Sequence, residues 1–133
     1  MVGVDSLRDA DGEWRVRQYS GDPDKTQALP RRTLDWVVEA QALGAGEIVL
    51  NCMAADGVRS GYDIEQLMAV RKLCRVPLVA SGGAGQCEHF AEVFHGADVD
   101  AALAASVFHS GELPIPQLKH YLREQKIEVR DVA

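Results

Sequence analysis

Four times along this chain an apolar run ends on a polar side chain, enters a loop and gives way to a helical pattern. The clearest instance is Val76-Pro77-Leu78-Val79-Ala80-Ser81-Gly82-Gly83-Ala84-Gly85. Proline suits a strand's first position, and a continuous apolar run reads as a strand buried on both faces. The glycines at its carboxyl end let backbone approach an anion closely. The helical pattern from Cys87 to Phe94 then supplies free N–H groups to aim at it. Strands alternating with helices imply a parallel sheet joined by right-handed crossovers.

The first unit begins at Val2-Gly3-Val4-Asp5-Ser6, a short buried strand. Asp11-Gly12 then signals a hairpin turn, after which Trp14 and Val16 alternate with Arg15 and Arg17 as in a half-buried strand. Gly21-Asp22-Pro23-Asp24 breaks that pattern into a polar loop. A helix is expected from Thr33 to Leu43, with Leu34, Val37, Val38 and Ala42 as its apolar stripe and Gly44 beyond its end.

The second strand is Glu47-Ile48-Val49-Leu50-Asn51, and a loop from Ala54 to Tyr62 follows it. Asp63-Ile64-Glu65-Gln66 predicts a capping box in which Gln66 reaches back, opening a helix that buries Ile64, Leu67, Val70 and Leu73. The helix of the third unit presents Phe90, Val93 and Phe94 and stops at Gly96. The fourth strand, Val99 to Ser106, is rich in alanine and rests on the repeat more than on propensity. A helical turn from Val107 to Glu112, a helix from Pro116 to Gln125 burying Leu118, Tyr121 and Leu122, and the tail Ile127-Glu128-Val129 complete the pattern.

Polar side chains thus collect at the expected strand ends: Asp5, Asn51, Ser81 and Ser106, with Asp56-Gly57 in the loop after the second. Four β-α units make either a small open doubly wound domain or half of an eight-stranded β/α barrel. Barrel enzymes place their sites at strand carboxyl ends, and the last two loops commonly hold phosphate beside a short extra helix. The third and fourth units fit that description, with Val107-Phe108-His109 as the extra turn. The expected fold class is therefore α/β: one (βα)4 half of a TIM-type (βα)8 barrel, spanning 1–133 as one domain.

Composition narrows the function. With 47% hydrophobic and 26% charged residues, the chain has the makings of a packed core. A net charge of −6 supplies no basic surface for nucleic acid. No apolar run approaches the roughly 20 residues of a membrane span. Met1-Val2-Gly3-Val4-Asp5 lacks the features of a signal peptide, so a cytoplasmic protein is expected. Cys52, Cys74 and Cys87 have no ligand-like spacing, and the four histidines are scattered, so reduced thiols and no metal are expected.

Four ordered stretches carry a resemblance. Gly44 to Asn51, Asp56 to Asp63, Ala80 to Gly85 with Glu88-His89-Phe90, and Ala102 to His109 are similar to the cyclase subunit of imidazole glycerol phosphate synthase. The likeness runs from about Val2 to Val129, with family-like spacing. It implies a lyase of histidine biosynthesis that closes an imidazole ring with ammonia from a glutaminase partner, without metal or organic cofactor. By the same resemblance Asp5 is one of two catalytic aspartates, a general acid/base; the bland alternative is a capping aspartate. Asn51, where many relatives carry threonine, and Asp56-Gly57 match substrate-contacting positions; ordinary loop chemistry is their alternative. Ser81 ends the strand that carries the grip on one substrate phosphate, and Gly82, Gly83, Ala105 and Ser106 match that grip itself. A tight turn with close helix packing is the alternative there. Glu47, at the opposite strand end, matches a charged residue gating ammonia entry, or is a surface glutamate.

An eight-stranded barrel takes about 250 residues, and the resemblance covers only the carboxyl-terminal half of the family's barrel. The second aspartate and second phosphate site belong to the other half. A half-barrel leaves its first and last strands as open edges and its inner face uncovered. Closure by a homodimer or higher even oligomer is expected. Expected partners are a phosphorylated ribotide or inorganic phosphate or sulfate, a glutaminase subunit, and the complementary amino-terminal half. Three functions compete: a cyclase half active only when completed, a non-catalytic phosphate-binding half-barrel, and a structural oligomeric scaffold.

Overall fold

The computed structural model describes residues 1–130; the last three residues of the expected 1–133 domain lie outside them. The described residues build one six-stranded sheet. In chain order its elements are β1 (Val2–Arg8), β2 (Trp14–Gln18), β3 (Gln27–Arg32), α1 (Thr33–Ala42), β4 (Ile48–Cys52), α2 (Ile64–Arg71), β5 (Leu78–Ser81), α3 (Cys87–Ala97), β6 (Ala101–Leu103), α4 (Ser106–His109) and α5 (Ile115–Glu124). The sheet order is β3-β2-β1-β4-β5-β6. From β1 to β6 the strands run parallel, and β2 and β3 add to β1 as an antiparallel meander. The sheet stays open, as half of a barrel must.

Two additions depart from the sequence expectation. β1 runs on to Arg8 and pairs with β2 through Ser6–Val16, Leu7–Arg15 and Arg8–Trp14. The turn between them is the expected one, with Gly12 at φ +84° and its N–H on the Asp9 carbonyl. β3 occupies a stretch expected to be loop and helix approach; it is almost wholly exposed and is held by its main-chain pairing to β2. The first strand is consequently not a sheet edge over its carboxyl half, and β3 takes that place. Pro30 is tolerated there because an edge strand spares one N–H. On β2, Arg17 is not an outward charge: it is buried and ion-paired with Asp9.

The helix-facing layer of the sheet is apolar. Val4, Leu50 and Ala80 lie in register, flanked by Ile48 and Leu78, and all are at most 1% exposed. α1 meets this layer through Thr33, Val37 and Ala40. Val38 (50% exposed) and Ala42 of the expected stripe point away, because the helix turns its first residue inward. That rotation is fixed by hydrogen bonds. Thr33 Oγ1 lies 2.6 Å from Ser6 Oγ, and Gln66 Nε2 donates to the same hydroxyl.

Gln66 therefore departs from the expected capping box. Asp63 does cap α2, accepting the Gln66 N–H at 3.0 Å, but the Gln66 side chain goes to the core instead of back to the cap. Ser6, Thr33 and Gln66 are all essentially inaccessible to solvent. A buried group left without its partner costs about 1–3 kcal/mol. Gln66→Leu is expected to lower the free energy of unfolding by that amount, read as a drop in the urea midpoint at constant slope.

Other boundaries shift for local reasons. Leu73 lies past the end of α2 and is 40% exposed. α3 does not stop at Gly96 but ends after Ala97, with Asp98 in the left-handed region at φ +52°. Gly96 instead lets α2 approach: a Cβ there would sit 3.2 Å from Ile64 Cγ2. β6 is only three residues long, and α5 starts one residue earlier than expected, at Ile115. Leu118 and Leu122 are buried as expected, whereas Tyr121 is only half-buried. Among the described residues no helix is long and apolar enough to cross a membrane.

Candidate functional site

The face of the sheet opposite the helices carries the polar strand ends. Asp5 is in register with Asn51, Asn51 with Ser81, and Ser81 with Leu103. Ser106, expected in this row, lies beyond it. The chain leaves the sheet after Leu103, and Ser106 becomes the first residue of α4.

These ends open into a cleft of about 320 Å³. Asn51, Asp56, Gly57, Ser81, Gly82, Gly83, Ala105 and Ser106 all line it, from four different segments of the chain. Gly82 and Gly83 turn the backbone over the end of β5 at φ +91° and +113°. A Cβ on Gly82 would lie 2.9 Å from the Cys52 carbonyl oxygen, and one on Gly83 only 2.0 Å from that of Gly61. The turn is thus pressed against the loop that follows β4, and the Gly61 N–H donates back to the Gly83 carbonyl at 2.9 Å. Gly83 and Ala84 are buried, and among the described residues no acceptor is matched to either main-chain N–H.

Asp5 does not line the cleft but adjoins it through Asn51, whose Nδ2 donates to Asp5 Oδ1 at 2.9 Å. The Ser20 hydroxyl donates to the other carboxylate oxygen. The carboxylate is half-buried and held on both oxygens, so its direction is set before anything binds. Glu47 lies at the amino end of β4, away from the cleft, where its carbonyl accepts the Val2 N–H at 2.8 Å.

Two contributors are absent from the sequence reading. Arg59 lines the cleft and brings a positive charge, with its guanidinium held 2.9 Å from Glu112. The Ser110 side chain and Arg59 together hold the Glu112 carboxyl below the usual range. A lone cation beside Asp56-Gly57 in the loop is the only sequence signal for it. The second is Tyr62, buried behind the site, whose hydroxyl donates to the Leu103 carbonyl at 3.0 Å. Burial pushes its phenol well up, so it remains a donor. Burial, and secondarily the Asp63 charge, likewise raises the Cys52 thiol far above its ordinary value, which leaves that cysteine inert. Among the described residues no three His, Cys, Asp or Glu side chains gather as a metal site requires.

A parallel β/α sheet with its polar side chains assembled at strand carboxyl ends defines the β/α-barrel class, here as an open half. The chain belongs to the family described as histidine biosynthesis protein, whose model matches residues 1–114. It is 75% identical over 132 residues to imidazole glycerol phosphate synthase subunit HisF of Xylella fastidiosa (strain M12), covering 99% of this chain and 51% of the relative. The same subunit of Xanthomonas euvesicatoria pv. vesicatoria (strain 85-10) is 74% identical over 131 residues, covering 98% of this chain and 51% of the relative. The chain therefore spans about half the length of the curated relatives it matches.

Proposed function

We propose that this chain is the phosphate-holding, Asp5-bearing half of an imidazole glycerol phosphate synthase cyclase. In this reading it grips one phosphate of a phosphorylated ribotide and closes the ring only when a complementary half completes the barrel. The observation that carries it is convergence. Eight residues singled out from sequence, spread from Asn51 to Ser106, line one cleft, and among the described residues no acceptor is matched to the main-chain N–H of Gly83 or Ala84, which line it too. Unpaired N–H groups in a glycine turn attract an anion, and Arg59 adds charge of the right sign.

Asp5, held by Asn51 and Ser20, is the acid/base group for the proton transfers of cyclisation. Ammonia from a glutaminase would enter past Glu47, at the other end of β4. No step needs a group that these residues lack, except those the opposing half supplies: a second acid/base and a second phosphate grip.

The open sheet favours self-association of the isolated half. β2 pairs with β1 only over Ser6–Arg8, which leaves the Val2–Asp5 stretch and the β6 edge for a second copy. Val49, Val79 and Ala101, in register on the inner face, would be covered by closure. Light scattering is expected to give a dimer or higher even oligomer at micromolar concentration; a folded monomer removes that part of the reading.

The decisive experiment mixes this chain with a separately made amino-terminal half, supplies ammonia and follows cyclisation. Asp5→Asn is expected to slow the assembled mixture about 10²–10⁴-fold. An assembled, soluble but inactive mixture overturns the enzymatic reading. If calorimetry with inorganic phosphate still gives heat there, the chain is a phosphate-binding half-barrel; if it gives none, it is a structural scaffold.

A further inference from the structure

The turn over β5 is made of glycines, which have the most conformational freedom to lose, so something outside them must fix it. The backbone alone does not. Gly82, Gly83 and Gly85 are all pressed from one side by the loop after β4, Gly85 with its Cβ position 2.3 Å from the Arg59 carbonyl oxygen, but that packing leaves the Gly85 N–H to be paired where the chain turns toward α3. The N-cap of α3, Gln86, makes no side-chain cap of its own.

His89 supplies what is missing. It is the third residue of α3, and its Nδ1 accepts the Gly85 N–H at 3.0 Å. In a capping box a side chain at this position reaches back to the cap residue's N–H; here the imidazole reaches one residue further back, to the turn itself. The same ring lies against Gly61, with Cδ2 3.6 Å and Nε2 3.9 Å from where a Cβ there would be. Gly61 is the residue whose N–H bonds the Gly83 carbonyl. One side chain thus touches both loops that form the floor of the cleft. The donor is a main-chain N–H, so Nδ1 is the unprotonated ring nitrogen.

We propose that His89 is a positioning residue of the anion-holding turn. Its Nδ1, acting as an acceptor, ties up the Gly85 N–H and wedges Gly61, so that the Gly83 and Ala84 N–H groups stay free to face the cleft. The role needs an acceptor at that point and a flat group against Gly61; it needs no charge. The proposal rests on the phosphate reading above only for what the turn holds. The strut itself is a statement about the empty protein.

The test uses the full chain and three forms: unaltered, His89→Leu and His89→Asn. Asparagine Oδ1 stands the same number of bonds from Cα as Nδ1 and keeps the acceptor; leucine removes it. Amide exchange by NMR reads the Gly85 N–H, nitrogen shifts of the imidazole read which ring nitrogen carries hydrogen, and inorganic phosphate is titrated into each form. His89→Leu is expected to speed Gly85 exchange and weaken phosphate about three- to tenfold, the net worth of one hydrogen bond. His89→Asn is expected to recover most of both. Equal Gly85 exchange in all three folded forms, or a protonated Nδ1 in the unaltered chain, overturns the proposal. If leucine prevents folding, the nitrogen shifts and the asparagine form still decide it. Should the unaltered chain take up no phosphate while Gly85 exchange follows the acceptor, the phosphate reading fails and the strut stands.

Discussion

Gly83→Ala is expected to lose about 3 kcal/mol of stability or more and to abolish measurable phosphate binding. Two costs add. The backbone at φ +113° is one that a residue with a Cβ rarely adopts, a strain of about 1–3 kcal/mol. The new methyl would also stand 2.0 Å from the Gly61 carbonyl oxygen and 3.1 Å from Ala55 Cβ. A flexible side chain could swing aside, but Gly61 is main chain and is tied to Gly83 by its own N–H. Relief therefore means separating the two loops that floor the cleft. Gly57→Ala is the matched control: it lies in the same cleft at φ +75° with nothing within 4 Å of its Cβ, and so pays only the strain. Urea midpoints of the two variants, together with phosphate titrations, give the comparison. Equal losses would mean that strain alone, and not the interlock, sets the turn.

That interlock bears on what a sequence reveals. The glycine run after an apolar strand announces a close approach, and the repeat of such ends gives the parallel order of β1, β4, β5 and β6 and the group of residues around the cleft. What the glycines approach is invisible, because Gly61 and Arg59 belong to another loop and carry no pattern that ties them to Gly83 and Gly85. β3 escapes for a different reason. It is held by backbone pairing at an exposed edge, so its side chains show no alternation. Gln66 reads as a cap because Asp63 precedes it by three residues. Only the packed helix shows that a buried hydroxyl on β1 competes for the same amide and wins. Val38 and Leu73 read as core from period alone, but period cannot say how far a helix is rotated about its axis. Thr33 sets that rotation for α1 through a hydrogen bond.

Phe90→Ala should cost about 3–5 kcal/mol, the range for emptying a buried phenylalanine site. Against a typical total of about 5–15 kcal/mol this is enough to leave a substantial unfolded population. Phe90 is 2% exposed on α3 and is the largest fully enclosed side chain in the described core. Its ring meets Tyr62 edge-on at 5.7 Å and lies 5.9 Å from Phe108 at a tilt of 30°. These contacts join both walls of the cleft from behind. Tyr62 holds the end of β6 through the Leu103 carbonyl, and Phe108 sits in α4, two residues after Ser106. A cavity at Phe90 therefore frees Tyr62 and α4 together, and the loss should appear in phosphate affinity as well as in the urea midpoint. Phe90→Leu keeps most of the volume and is expected to recover most of the stability but less of the affinity, because leucine cannot reproduce the edge contact that orients Tyr62. If Phe90→Leu regains stability and affinity in equal proportion, the aromatic cluster serves only the core, and the cleft draws its shape from the glycine turn and His89 alone.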